Sequence, residues 1–429
     1  MIRIYLTFLL ISASTIGFCQ KGKNVINQKE VERIEAILSD NNMEGRRTGT
    51  PGIAKAADFI ASEFKKAGLT EMAGVSGCKQ NFTMLKSLQS KVTGDINDQA
   101  IDPKNVVVFT AQKRLDINSQ SGYKKVTVKQ GDNLLQEAQK FIGGKENIVV
   151  IADTSFTRAF AVLSRFKRAL FKSETNVVFI LSSQLVTSFK LSASQELEEM
   201  QMANVVGVLP GKSKKNEYVV FSAHYDHLGI GKAVNGDSIY NGANDDASGT
   251  TAVITLAKYY KALGGNERTL IFAAFTAEEI GGFGSQYFSK QLNPADVVAM
   301  FNIEMIGTES KWNKASAYIT GYEKTNMGSI LEKNLEGTKF KFYPDPYPDE
   351  QLFYRSDNAT LAGLGVPAHT ISTSKMDVEP NYHKVSDEIG TLDMENMTEI
   401  IKAIAKSATS IVNGKDAPSR VKVEDLSRY

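Results

Sequence analysis

The sequence predicts an α/β protein, a mixed and largely parallel sheet flanked by helices, with a smaller β-rich domain inserted into it. Three observations carry this. From Asn204 onward short apolar runs alternate with helix-length segments, the pattern of a sheet covered by helices on both faces. Between about 96 and 200 the texture changes to short β-branched runs. A length of 429 residues exceeds what one hydrophobic core usually holds, which asks for two domains or one large domain with an insertion.

Taken in order, Arg3 precedes an apolar segment over 4–18, too short for a spanning helix and shaped like a signal peptide over 1–19. The chain is therefore expected to be exported, to a periplasm, the medium or an outer surface, with no membrane-spanning segment once the leader is removed. Cleavage after Gly17-Phe18-Cys19 fits the small-x-small rule. Retention of Cys19 as a lipid anchor is the alternative, which favours a small residue where Phe18 stands. Without Cys19 only Cys78 remains, so the core and not disulfides must hold the mature fold.

The main domain is expected over 25–95 and 201–415, the insert over 96–200 and a tail over 416–429. A helix is expected over 31–38. A second follows where Thr50 can cap, Pro51 suits the first turn and Gly68 can end it, with Ile53, Ala57, Ile60 and Phe64 on one face. The insert carries the β-branched runs 105–109, 148–151 and 176–180. Its basic cluster, Arg158, Arg165, Lys167, Arg168 and Lys172, reads as a solvated helix face. Beyond it, 218–223 predicts a buried strand, 247–263 a helix, and 269–275 and 298–303 further strands. The net charge of +2 gives no electrostatic footprint for nucleic acid.

Metal-type residues collect where these strands end. His224 follows the first run, Glu278 and Glu279 the second, Glu304 the third, Asp245 and Asp246 precede the helix, and His383 lies downstream. Ligands of open α/β sheets bind beyond the carboxyl ends of the strands. Imidazole with carboxylate suits zinc, and two metals side by side need a shared carboxylate, which Asp245 can supply. Of two adjacent glutamates, one can bind metal while the other moves protons. Asp226, two residues from His224, is placed to orient that imidazole through its other ring nitrogen. Together these residues suggest a two-metal hydrolase.

The motifs His224-Tyr225-Asp226-His227-Leu228-Gly229, Gly242-Ala243-Asn244-Asp245-Asp246-Ala247-Ser248-Gly249, Phe275-Thr276-Ala277-Glu278-Glu279-Ile280-Gly281, Asn302-Ile303-Glu304-Met305-Ile306-Gly307 and Tyr382-His383 resemble, in combination and order, the M28 family of zinc peptidases. The stretch 44–50 resembles the family's early loop, Ser356-Asp357 and 365–368 its late strand approach, and 96–200 the protease-associated insert of many members. The resemblance implies a zinc-exopeptidase, phosphorylase/hydrolase-like fold and two Zn2+ per chain. His224 and Glu304 would hold one zinc and Glu279 and His383 the other, with Asp245 shared. Glu278 would be the general base, Tyr382 would steady the oxyanion, and the Asp245–Asp246 peptide would be cis. The chain departs from the family at Glu304, where aspartate is usual, and at Asn358, where histidine commonly follows the Ser-Asp pair.

The activity so implied is aminopeptidase action on peptides with a free N-terminus. The same scaffold also supports carboxypeptidase, dipeptidase and glutaminyl-cyclase chemistry, the last with a single zinc. An inactive binding module is a further alternative, although the complete ligand set and base argue for an enzyme. Several residues have blander readings. His227 is expected to pack or hydrogen-bond locally, His369 to be a satisfied core histidine, and Asp387 and Glu388 to cap the following segment or orient the loop. Arg355 could meet a substrate carboxylate or form an ion pair.

Overall fold

The computed structural model describes residues 24–426. The expected leader over 4–18, Cys19 and the last three residues of the tail lie outside them. The chain divides into two compact units, 24–81 with 202–426, and 82–201.

In the first unit, helix α1 (Gln28–Leu38) starts where Asn27 Oδ1 accepts from Glu30 N at 3.1 Å. Helix α2 (Pro51–Lys66) has Pro51 in its first turn, but Thr50 makes no side-chain cap, since its hydroxyl donates to Arg47 O at 2.7 Å. The sheet is built from β1 (Phe189–Leu209, of which 202–209 belongs to this unit), β2 (Lys214–His224), β3 (Arg268–Phe275), β4 (Val297–Ile303), β5 (Ser316–Ile319), β6 (Lys341–Pro344) and β7 (Ala368–Ser372), in the spatial order β6-β5-β7-β4-β2-β3-β1. β2 pairs in parallel with β3 and β4, and β4 with β7, whereas β1 on β3 and β5 on β7 are antiparallel. The sheet is thus mixed with a parallel centre.

Every residue of β3 is buried, which explains why residues 270–275 are a continuous apolar run and not an alternation. On one face Phe221, Phe272 and Phe301 join the apolar stripes of α1, α2, α3 (Ser248–Leu263) and α4 (Met394–Ser407) in one core. Phe221 stacks on Phe301 at 4.9 Å and on Phe272 at 5.6 Å. On the other face Val220, Ile271 and Met300 pack with Phe288 and Leu361. The parallel register sets His224 against Phe275 and Ser222 against Asn302. The residues that follow, Thr276 to Glu279 and Glu304, therefore leave the sheet beside His224.

The second unit carries a four-stranded sheet in the order Val106–Phe109, Val177–Leu181, Ile148–Ala152, Lys124–Val128, with helices Leu134–Ile142 and Thr157–Leu163. Its two faces hold separate apolar clusters. The unit begins at 82, inside the strand Lys79–Ile96, and the change of texture near 96 marks that strand's end. Of the basic cluster, Arg158, Arg165 and Lys172 are exposed, while Lys167 is buried and burial depresses its pKa. The solvated-face reading therefore fails for Lys167. Among the described residues no helix is long and apolar enough to cross a membrane.

Candidate metal centre

The loops after β2, β3 and β4, the segment before α3 and the loop holding His383 converge in the first unit. Asp245 stands at the centre and is buried. Its Oδ1 lies 3.2 Å from His224 Nε2, and its Oδ2 lies 3.3 Å from His383 Nε2. His383 Nε2 is also 3.2 Å from Glu279 Oε2. His224, Asp245 and Glu304 offer ligand atoms within 4.8 Å of one another, as do His227, Asp245 and Glu279. One aspartate thus turns an oxygen toward each of two imidazole-carboxylate sets. All five residues expected from the sequence as metal ligands meet here, Glu304 included despite its extra methylene.

The donors fit zinc. Tetrahedral zinc with bonds near 2.0–2.1 Å sets its ligand atoms about 3.3 Å apart, which the three separations above match. His224 Nε2 and Glu304 Oε2 are buried without a hydrogen-bond partner among the described residues, a costly state unless a cation meets them. The acid-rich surroundings show in the carboxyl groups. Burial, reinforced by Asp245, pushes Glu304 up to about 7, with His224 opposing. Asp245 is held below the ordinary range because His224 and His383 outweigh its burial. Glu278 is raised well above that range, first by burial and then by the charges of Glu304, Asp357 and Glu279.

The main chain around the site is held by side chains that the metal does not need. Asp246 Oδ1 accepts from Gly249 N and Met305 N, both at 3.0 Å, and Oδ2 from His224 N at 3.3 Å, joining the ends of β2 and β4 to α3. The Asp245–Asp246 peptide is cis. Gly249 must be glycine, since a Cβ there would lie 2.2 Å from Ile303 O and 2.5 Å from Asp246 Oδ2. Asp387 accepts from Asn244 N at 2.8 Å and Asp245 N at 3.0 Å, the loop-orienting part expected of it. Ala277, Met305 and His383 all have positive φ, at 61°, 52° and 56°, a conformation that non-glycine residues hold only where their surroundings enforce it.

Asp226 behaves differently from the expectation. His224 Nδ1 is 3.1 Å from the main-chain oxygen of Asp226, while the nearer carboxylate oxygen is 3.7 Å away, beyond hydrogen-bond length. The carboxylate instead accepts from Glu278 N at 3.0 Å, Glu279 N at 3.4 Å and the Thr48 hydroxyl at 3.1 Å. β2 has ended at His224, so the same-side rule for residues two apart no longer applies, and the turn through Ala277 leaves two N–H groups that need an acceptor.

Two buried residues at the site, Arg46 and Asp357, fall within motifs read from the sequence without a role assigned to them. Arg46 has no exposed surface, and its guanidinium donates to Leu38 O, Tyr225 O, Asn241 O and Gly242 O, pinning the loops that carry His224 and Asp245. Asp357 lies near Glu278 and is raised to about 6, chiefly by burial. His369 is the satisfied core histidine expected, with Nδ1 on Thr320 O, Nε2 on the Thr325 hydroxyl, and burial lowering it to about 4. The site opens into a cleft whose walls include Tyr318, Leu352, Arg355, Met376 and Tyr382. Arg355 is paired with Glu350 at 2.8 Å, the ion-pair alternative.

A buried, acid-rich pair of imidazole-carboxylate sets at the carboxyl ends of parallel strands offers the donors that metal ions need. Residues 204–408, a little under half of the chain, match the model of Peptidase family M28. It is 24% identical over 258 residues to Aminopeptidase YwaD of Bacillus subtilis (strain 168), covering 56% of this chain and 51% of that protein. It is 27% identical over 218 residues to Leucine aminopeptidase 1 of Trichophyton rubrum, covering 48% of this chain and 57% of the relative. The matches thus span about half the length of these curated relatives. Among solved structures, an aminopeptidase from Aneurinibacillus sp. strain AM-1 shares the fold at a TM-score of 0.54 and 19% identity, covering 95% of this chain and 98% of the other. BSAP, a zinc aminopeptidase from Bacillus subtilis, shares it at 0.54 and 17%, covering 94% and 97%.

Proposed function

We propose that the protein is an exported di-zinc aminopeptidase that hydrolyses the first peptide bond of substrates with a free N-terminus. The observation that carries this reading is Asp245, with one oxygen toward His224 and the other toward His383. A shared carboxylate is what two adjacent metals require, whereas a single-zinc cyclase needs only one set. The aminopeptidases named above support the choice of reaction, and the leader-like N-terminus supports export. The unit over 82–201 is proposed as a protease-associated-like insert.

His224 and Glu304 would hold one zinc, Glu279 and His383 the other, with Asp245 between them. When bound, the two ions polarise the scissile carbonyl and acidify the attacking water. Glu278 faces the cleft and belongs to neither set, so it accepts the proton of that water and returns it to the leaving amine. Its raised pKa suits both halves of the transfer. Asp226 fixes the main chain of Glu278 and Glu279. Tyr382, on the cleft wall beside His383, presents its hydroxyl to the developing oxyanion.

The test is metal content of the purified mature chain together with hydrolysis of aminoacyl anilides, dipeptides, C-terminal substrates and a Gln-initiated peptide, with and without chelator. Two zinc ions, release of the N-terminal residue and loss of turnover with chelator are expected. Absence of both zinc and turnover would sink the proposal, and one zinc with a cyclised product would replace it by the cyclase reading.

A further inference from the structure

We infer, resting on the two-zinc reading above, that His227 is a positioning residue for Glu279. Its ring engages Oε1 of that carboxylate, so that only Oε2 is left to meet a metal ion with His383 and Asp245. His227 Nδ1 lies 2.7 Å from Glu279 Oε1. A carboxylate only accepts, so Nδ1–H donates.

His227 also qualifies by proximity as a ligand, since its nitrogen falls within 4.8 Å of ligand atoms on Asp245 and Glu279. The separations decide against that role for Nδ1. His383 Nε2 stands 3.2 Å from Glu279 Oε2 and 3.3 Å from Asp245 Oδ2, close to the edge of about 3.3 Å that a tetrahedral zinc shell needs. His227 Nδ1 is 2.7 Å from one carboxylate and 3.9 Å from the other, too near and too far. Closing both ligands on one zinc at the shorter distance would compress their angle at the metal to roughly 80°. As a charge-assisted hydrogen bond, 2.7 Å is ordinary.

The ring is held where this bond requires it. Its side chain is fully buried, its main-chain N–H donates to Arg46 O at 3.3 Å, and it meets the His383 ring edge-on at 5.7 Å. Room for it exists because residue 242 is glycine, where a Cβ would come within 2.5 Å of His227 Cγ and Cδ2. Nε2 is buried with no hydrogen-bond partner among the described residues, so Nδ1 makes the ring's polar contact. A Glu279 restricted to one oxygen leaves its metal a coordination place for a substrate atom.

The test uses the full chain stripped of metal and titrated with Zn2+ alone by calorimetry, then with Co2+ alone by visible absorption. His227→Ala should weaken one of the two binding steps about 10–100-fold, the usual effect of losing a ligand's hydrogen-bond partner. The other step and the thermal midpoint of the metal-free protein should hold. His227→Asn, whose amide can replace Nδ1–H, should restore most of the affinity. The cobalt spectrum should change in the alanine variant, as Glu279 is released to bind through both oxygens, and return in the asparagine variant. Unchanged affinity in His227→Ala would overturn the inference. So would a loss that asparagine does not restore, which marks a direct ligand, or an equal loss at both steps with a lowered midpoint, which marks packing. If the unaltered protein binds fewer than two zinc ions, the two-zinc reading itself fails; if it binds two and His227→Ala matches it, only the role of His227 does.

Discussion

Replacing Asp226 by asparagine separates the position read from the sequence from the one the structure shows. Asparagine keeps one oxygen, which can stay on Glu278 N, the shorter main-chain contact at 3.0 Å. Its amide then stands where Oδ2 was, donor against donor at Glu279 N, a contact of 3.4 Å. The Thr48 hydroxyl can turn to accept, so its bond is exchanged and not lost. The net deficit is one charge-assisted hydrogen bond plus the carboxylate's charge on its neighbours, about 1.5–3 kcal/mol. The long distance favours the lower figure, hence a fall in kcat of roughly tenfold. His224 Nδ1 rests on the Asp226 main-chain oxygen, which the substitution does not touch. The zinc-binding step that weakens should therefore be the one that Glu279→Gln also weakens, with the His224 step intact. Steady-state kinetics on an aminoacyl anilide at saturating zinc, paired with zinc titration, measures both. Unchanged kcat, or selective loss of the His224 step, would refute this placement of Asp226.

Two further outcomes follow from the same geometry. Glu278→Gln should keep both zinc ions and lose 10²–10⁴-fold in turnover, whereas Glu279→Gln should lose metal at ordinary buffer concentrations; the reverse pattern in zinc content and kcat would show the two roles exchanged. Glu35, buried on α1 with Oε2 accepting from the Thr251 hydroxyl at 2.8 Å and Oε1 without a hydrogen-bond partner among the described residues, is raised by burial from an ordinary value of 4.5 to about 8. Between those values the unfolded chain gives up a proton that the folded chain keeps, so this group's contribution is fully favourable below pH 4.5 and is lost as pH rises to about 8. Urea unfolding of the metal-free protein should accordingly show Glu35→Gln gaining on the original chain by a few kcal/mol between pH 5 and 8, and a constant difference would contradict it.

What the sequence made legible was whatever depends on local pattern. The runs that became β2, β3 and β4 are buried on both sides, so their continuous apolar character betrays them. A parallel sheet then delivers whatever follows each run to the same edge. His224, Glu278, Glu279 and Glu304 could be gathered by that rule alone. His383 could not, because it lies on a loop beyond β7 with positive φ and no periodic segment beside it. Only its place in an ordered set of motifs marked it.

The residues misplaced or passed over share a different physics. Arg46, Asp226 and His227 each complete a hydrogen bond that exists only once distant segments meet. Arg46 pins the carbonyls of Tyr225, Asn241 and Gly242, all far along the chain, and nothing in its own neighbourhood predicts that a guanidinium will be buried there. Asp226 was expected to serve the imidazole two residues before it, because an extended strand would place both on one side. The strand ends at His224, and the unsatisfied N–H groups of Glu278 and Glu279 claim the carboxylate instead. The ring of His227 fits because of a missing Cβ at residue 242. Ligands can thus be found by residue type and strand end, while the groups that aim them follow from which main-chain donors and acceptors the folded loops leave unpaired.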